Sequence, residues 1–558
     1  MNTIQSFIKN KQNLIELTFL AVFFILLSLI SYDHVDRSFS VFKYFVGGSL
    51  NDLLDNYILY HHSLKDFIYH TSPFFRGTSP NGWNDIIYLL PLFIFCDLLG
   101  GLSVKTLCFF TVTTSLIFLF LFYYWMKKVW GERAAWWATL LLGSSAIFQE
   151  IARSGSYIAY SFLIVIIWLL YCFKSTETEN PWYPGLLGLW TGLLWYGYGL
   201  IRGLTLVAVC RAWWTNRTSK GVAIGLFFAG MMIIIVPGIV VLCIQKWDHH
   251  EPWHYLFVDR ENIFEQGKWN FYFSLRMFTH NLNVFTDRML GGAQIVDHRL
   301  INEPHAHFLH RYFVIPMLIG MGSTFRSWKL PSNRLLIGIS FMIFIIPMLS
   351  SNLGYAVARR SLFYIIPMYC FIGLGCKEIF DWMDRTDRAL IKWLVKFLII
   401  GAVLIAVSSE MSFVKHHVIT PRRDMGILEF AEKIKQMGFK GNLYYLDTDQ
   451  KAIYAWMWGG DILNVALMEN GQSPLEVRTV TTKIRLTDPG KYFYLAKSPE
   501  ILQKDFNDWA FRNKLEYNLI FESPFRSGFS FYKNNFFEPF KFYAVHQVEY
   551  IFMLEHKK

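Results

Sequence analysis

Long apolar runs recur through the first three quarters of this chain, separated by short loops rich in lysine and arginine, and few folds accommodate that pattern. The first run, Leu14 to Tyr32, follows Lys9 and Lys11 and is about long enough to cross a bilayer, which takes roughly 20 apolar residues. Further runs lie at approximately 104–126, 134–150, 157–173, 184–198, 199–213, 221–244, 306–323, 335–350, 360–376 and 392–409. In hydrocarbon every backbone N–H and C=O needs a partner within the protein, so runs of this length read as helices. Composition agrees. Of 558 residues, 53% are hydrophobic and 17% charged, against roughly 25% charged in soluble domains, which is too little polar surface for a water-soluble globule. The expected class is an α-helical polytopic membrane protein with about 11 transmembrane helices.

The formal charge of +11 does not point to nucleic acid, because the lysines and arginines fall largely in the short loops between apolar runs. Alternating the runs from a cytoplasmic N-terminus places Lys127, Lys128 and Arg133, then Lys174, then Arg211, Arg217 and Lys220, then Arg326, Lys329 and Arg334, then Lys377, Arg385, Arg388 and Lys392 on the inner side. That is what the positive-inside bias requires. It also requires Ile86 to Leu99, short for a span, to lie on the outer surface or re-enter it. No small-residue cleavage site follows the first run, which reads as an uncleaved anchor in a cytoplasmic (inner) membrane. The stretch 184–213 has to turn around Gly197 to Gly199, giving two half-spans with Tyr198 and Arg202 at the outer turn.

Two domains are expected. Residues 1–410 form the membrane domain, with outer loops at about 33–103 and 245–305. Residues 411–558 return to ordinary globular composition and read as a soluble α/β domain outside the membrane. There "MGILEFAEKIKQMGF" has helical spacing, "NLYYL", "KYFYLA", "NLIFE" and "GFSFYK" read as strands, and a helix is expected at about 498–513. All seven cysteines lie in or beside apolar segments, so neither a disulfide framework nor a zinc cluster is encoded.

Chemistry-bearing residues concentrate on the outer side. Arg153, Arg202, Arg359 and Arg360 end apolar segments there, where arginine is disfavoured by topology and costly to desolvate without an anionic partner. Asp33 and Asp36 follow the first run directly. Three residues apart, they share one face if the segment is helical, and a carboxylate at a span exit can act as general base or bind a divalent cation. An N-cap plus a solvated aspartate would explain the same pair. Beyond them, "NDLLDNYILYHHSLKDFIYH" is amphipathic and suits an interfacial helix. In the second outer loop Glu303, His305, His307 and His310 have spacings that could hold a metal, although interfacial hydrogen bonding explains them more simply.

The order of these features resembles the C-fold (GT-C) glycosyltransferases, in particular the branch of protein O-mannosyltransferases and aminoarabinose transferases. The resemblance spans about residues 14–380. It rests on the first run followed by an acidic motif, on the segment from "GLSVKTLCFF" through the basic pair and "GER" to Arg153 in "ARSGSY", on "GLLWYGYGLIRGL", and on "ARRSLFYIIPMYCFIGLG". It implies transfer of a sugar from a polyprenyl-phosphate or polyprenyl-diphosphate carrier to a lipid, polysaccharide or protein acceptor at the outer face, with an acidic residue of the first outer loop at the reaction centre. By position before Gly47 and Gly48, Asp33 matches that residue best. The common Asp-Glu pair is absent, since His34 follows Asp33 and Arg37 follows Asp36, so the base is one of two aspartates. The branch's Lys-Pro or Pro-Pro step is also absent, and Lys65 or Arg76 would serve as the loop's phosphate ligand, beside Arg153, Arg202, Arg359 and Arg360 on the donor phosphate. No organic cofactor is implied, and a divalent cation stays open. Two other classes compete: a lipid or solute transporter, although paired halves of matching hydropathy are not evident, and a ligase or polymerase that moves a whole glycan.

Overall fold

The computed structural model describes residues 11–29, 85–99, 104–153, 157–173, 182–195, 199–215, 220–246, 264–265, 268–269, 271–290, 307–350, 361–386, 388–419, 432, 434–436 and five strands of the tail. Outside the tail, the described elements are helices apart from one two-residue hairpin. Its helices are α1 (Lys11–Leu29), α2 (Asp85–Leu98), α3 (Val104–Trp130), α4 (Glu132–Ser144), α5 (Ala146–Arg153), α6 (Tyr157–Cys172), α7 (Tyr183–Leu194), α8 (Leu204–Thr215), α9 (Lys220–Lys246), α10 (Phe271–Leu290), α11 (Val314–Arg326), α12 (Pro331–Ser350), α13 (Ile365–Arg385) and α14 (Ala389–Ile419). Single 3-10 turns at Gly199–Gly203, Arg311–Phe313 and Leu362–Tyr364 lead into α8, α11 and α13. Among the described residues, five helices are long and apolar enough to cross a membrane, or six if the bent pair α5 and α6 is one span.

Where the chain turns, local chemistry explains it. Lys127 and Lys128 end α3, where cations suit the negative end of the helix dipole. Gly131 then takes φ 96°, a conformation that favours glycine, and the chain reverses into α4. The run expected as one span at 134–150 is broken. Ser145 is extended (φ −70°, ψ 140°) and its hydroxyl donates to the Leu142 carbonyl (2.8 Å), so α4 stops and α5 starts as a separate helix. The two half-spans expected at 184–213 appear as α7 and α8, joined through the 3-10 turn that carries Arg202. The run at 306–323 becomes helical only from Arg311, and α10 lies in a loop to which sequence reading assigned no helix.

Helices approach closely where side chains are small, as suits a bundle whose surroundings are as apolar as its own side chains. A methyl group on Gly188 of α7 would run into the Phe227 carbonyl of α9, and one on Gly375 of α13 into the Pro316 carbonyl of α11. Aromatic rings fill the interior. Phe148 of α5 packs on Phe24 of α1 (5.9 Å between centroids) and Phe118 of α3 (5.6 Å), and Phe162 of α6 stacks on Phe363 (4.6 Å). The outward face of α14, including Leu390, Trp393, Phe397 and Leu398, is exposed, as a lipid-facing span requires.

Polar contacts gather the basic loops at one end of the bundle. Arg133 pairs with Asp381 (2.6 Å) and Asp384 (2.9 Å), Trp130 donates to Asn333 (2.9 Å), and Ser323 donates to Glu378 (2.9 Å). Lys127 pairs with Glu132 (2.8 Å) and with Glu16 (3.0 Å), which also accepts from the Tyr123 hydroxyl. Arg334 lies over the rings of Trp214 (5.5 Å) and Trp328 (5.9 Å). The loops that the charge rule assigned to one side are thus neighbours in space.

In the tail, β3 (Leu443–Asp447), β4 (Val477–Thr481), β5 (Lys491–Ala496), β6 (Tyr517–Tyr532) and β7 (Phe542–His556) form one mixed sheet of order β4-β3-β5-β7-β6. β3 runs parallel to β4 and β5, while β7 is antiparallel to β5 and β6. A two-residue hairpin, β1 (Phe264–Glu265) with β2 (Lys268–Trp269), precedes α10. "NLIFE" and "GFSFYK" are not two strands but parts of the single strand β6, which continues through Pro524 and has a bulge between Leu519 and Phe521. The helix expected at 498–513 lies outside the described residues, as does most of the one expected at 425–439.

Candidate functional site at the end opposite the basic loops

The short helix α5 organises the other end of the bundle. Seven of its eight residues are buried, among them Arg153 at its C-terminus. Arg153 is 5% exposed, and its Nη2 donates to the Leu27 carbonyl in the last turn of α1 (2.5 Å) and to Gln149 Oε1 (3.3 Å). Gln149 also accepts from the Ser28 hydroxyl (3.3 Å) and donates to the Gly143 carbonyl (2.7 Å). The Cys108 thiol of α3 donates to the Arg153 carbonyl (3.2 Å). Arg153 therefore ties α1, α3 and α5 together, and this accounts for part of its burial. Its Nε and Nη1 are buried and meet no acceptor among the described residues. A guanidinium has five donors in a planar fork, and leaving a charged donor buried without a partner costs more than a neutral one. An anion would satisfy these remaining donors.

Glu410 holds the N-terminus of the same helix. It sits on α14, 3% exposed, and its Oε2 accepts from the Ala146 N–H (2.7 Å) while its Oε1 lies 2.6 Å from His307 Nε2. A carboxylate at a helix N-terminus satisfies a free N–H and complements the dipole. The Ser145 hydroxyl accepts from the Phe148 N–H (3.4 Å), which caps α5 further. His307 faces His310 (5.8 Å between ring centroids) and Phe413 (6.5 Å), and His310 Nδ1 accepts from the Tyr312 N–H (3.4 Å) at the start of the 3-10 turn. Thus two of the second-loop histidines that sequence reading offered as metal ligands serve a contact with the Glu410 carboxylate and a cap. Among the described residues no group of three or more His, Cys, Asp or Glu could hold a metal ion.

Arg202 lies on another element. On the turn between α7 and α8 its Nε donates to the Trp195 carbonyl (3.2 Å), at the C-cap of α7, and its guanidinium lies 5.8 Å from the Trp195 ring. This contact steadies the break between the half-spans. Asp33, Asp36, Lys65, Arg76, Glu303, His305, Arg359 and Arg360 lie outside the described residues. Sequence reading missed Glu410, which ends the last apolar run. An ionisable residue at the buried end of an otherwise lipid-facing span was the available signal.

No family model and no curated protein matches the sequence. Solved structures do. The chain is similar to ArnT from Cupriavidus metallidurans bound to undecaprenyl phosphate, with a TM-score of 0.52 at 11% identity over 90% of this chain and 96% of that one. The apo state of that protein gives 0.50 at 11% identity with the same coverage. The Archaeoglobus fulgidus oligosaccharyltransferase tethered with an acceptor peptide gives 0.48 at 12% identity, over 85% of this chain and 64% of that one. With both chains covered almost end to end, the similarity to ArnT extends over the helical bundle and the tail, and the chain has the GT-C fold that its sequence resembles.

Proposed function

We propose that this chain is an integral membrane glycosyltransferase that moves a sugar from a polyprenyl-phosphate-linked donor to a lipid, glycan or protein acceptor at the outer face of the cytoplasmic membrane. The observation that carries the reading is Arg153. Its guanidinium is buried at the end of the bundle away from the basic loops, with two nitrogens that meet no acceptor among the described residues, on a fold shared with a protein solved in complex with undecaprenyl phosphate. It is also bonded to the last turn of α1, and Asp33 stands four residues beyond Leu29. Four residues of chain reach at most about 14 Å.

In this reading Asp33 or Asp36 deprotonates or orients the acceptor nucleophile, which displaces the carrier phosphate directly with inversion. Charge grows on the phosphate as the glycosidic bond breaks, and guanidinium groups already in place stabilise it without reorganising. Arg153, Arg202, Arg359, Arg360, Lys65 and Arg76 are the proposed donor-phosphate ligands, and the prenyl chain lies among the spans. The transferred group is a hexosyl or pentosyl unit. The membrane domain covers residues 1–410 with about 11 crossings, and residues 411–558 form an α/β domain on the outer side. The parallel pairing of β3 with β4 and β5 supports that class, because parallel neighbours need crossover connections.

Purified-enzyme kinetics with a varied polyprenyl-phosphate-sugar donor test the proposal. Arg153→Gln should raise the donor KM by tenfold to a hundredfold, since a charge-assisted hydrogen bond contributes roughly 1.5–3 kcal/mol. Lysine should restore only part of it, because an ammonium cannot reproduce the planar fork. Donor dependence unchanged in Arg153→Gln, Arg202→Gln, Arg359→Gln and Arg360→Gln alike would remove the phosphate site and with it the transferase reading.

A further inference from the structure

Between Glu410 and Arg153 runs a continuous mechanical path. α5 is eight residues long, about 12 Å, and is held at both ends by charged side chains. At its start the Ala146 N–H is bound by Glu410 of α14, and Glu410 is in turn paired with His307 from the segment leading into α11. At its end Arg153 reaches α1 through the Leu27 carbonyl, and its own carbonyl accepts from Cys108 of α3. So short a helix gains little from its own hydrogen bonds, and its position is set by what grips it. Glu410 is buried to 3% exposure and His307 to 7%, so the pair is not screened by solvent.

We infer that Glu410, held by His307, is a positioning residue that fixes α5 and thereby sets the place of the Arg153 guanidinium. α14 is the last of the long helices before the tail strands, so the same carboxylate couples the arginine to the element that leads toward the tail. The importance of this coupling for donor binding rests on the reading of Arg153 given above, but the coupling itself is a property of the fold and has its own reporter.

That reporter is Cys108, fully buried with its thiol on the Arg153 carbonyl; Cys370 of α13, also fully buried, is the internal control. The experiment maps maleimide labelling by mass spectrometry in the full-length detergent-solubilised protein, for wild type, Glu410→Gln and Glu410→Ala. Glu410→Gln keeps an acceptor for the Ala146 N–H but loses the charge opposite His307, and it decides the matter if the alanine variant fails to fold. Labelling of Cys108 should rise on the order of tenfold in Glu410→Gln, as expected when one charge-assisted bond no longer opposes local opening, with Cys370 still protected. Cys108 labelled at the wild-type rate would overturn the inference. Equal rises at Cys108 and Cys370 would overturn it too, since Glu410 would then be a general stabiliser. The donor KM, measured in the same variants and in Arg153→Gln, separates the two ideas. A Cys108 response with a donor KM that is unchanged even in Arg153→Gln leaves the coupling standing and removes the phosphate reading.

Discussion

At the scale of single residues, the two charged groups that bracket α5 differ in how they meet their costs. Glu410 has both oxygens engaged, by a histidine and by a backbone N–H, so its burial is compensated locally. Arg153 has one nitrogen engaged and two that meet no acceptor among the described residues. That asymmetry separates a residue serving the fold from one with capacity left for a ligand. Asp33 completes the proposed chemistry as base or orienting group. Asp33→Asn should leave the protein folded and inserted yet lower transfer by about 10²- to 10⁴-fold, the usual range for a positioned general base, with Asp36→Asn equally or less affected. Wild-type rates in both variants would exclude the first outer loop as the reaction centre. Arg326→Gln and Arg388→Gln, among the basic loops, serve as controls that should keep the wild-type donor KM.

Among the elements, close helix contacts through glycine are the most exacting demand this fold makes on its sequence. Gly375 of α13 and Gly320 of α11 meet backbone to backbone, and a side chain on Gly375 would strike the Pro316 carbonyl rather than a flexible side chain that could move aside. Gly375→Val should therefore destabilise the bundle by at least about 1–3 kcal/mol, the usual range for overpacking, seen as a lowered thermal midpoint in detergent. Gly322→Val, on the facing helix α11 with open space around it, should change it little. Much of the helical pattern was legible, because apolar runs report burial in lipid directly; α3, α9, α12 and the half-spans α7 and α8 follow them closely. The breaks were not. Ser145 ends α4 through a hydroxyl bond to the preceding turn, a local competition that leaves no mark on hydropathy, and the amphipathic α10 fell below a search for wholly apolar stretches. In the tail, β6 runs through Pro524 and Gly528, residues that on pattern alone divide it in two. For the site, Arg153 was legible as a misplaced charge, whereas Glu410 and its pairing with His307 arise from contacts across more than a hundred residues that no local pattern encodes.

On the scale of the whole molecule, the bundle has two chemically distinct ends, and α1 and α14 join them. The first turns of α1 are tied to the basic loops through Glu16, Lys127 and Tyr123, and its last turn meets Arg153. α14 starts beside those loops, where Lys392 donates to the Asp384 carbonyl (3.3 Å), and its 31 residues extend about 46 Å, more than the roughly 30 Å of a hydrocarbon core. If α14 crosses, the sidedness of the tail follows from this one helix and does not depend on the total number of crossings. We propose that the tail leaves on the side opposite Lys128, Ser327 and Arg385, which the positive-inside bias makes the outer side. Single cysteines at Lys128, Ser327 and Arg385 should react with a membrane-impermeant maleimide only after the cytoplasmic side is opened, whereas one at Gln547 in β7 should react in intact cells or spheroplasts. Labelling of Gln547→Cys from the same side as Lys128→Cys would mean that α14 does not cross. Glu410 and Arg153 would then lose their place at an outer membrane face, and a polyprenyl-phosphate donor presented there could not be the substrate.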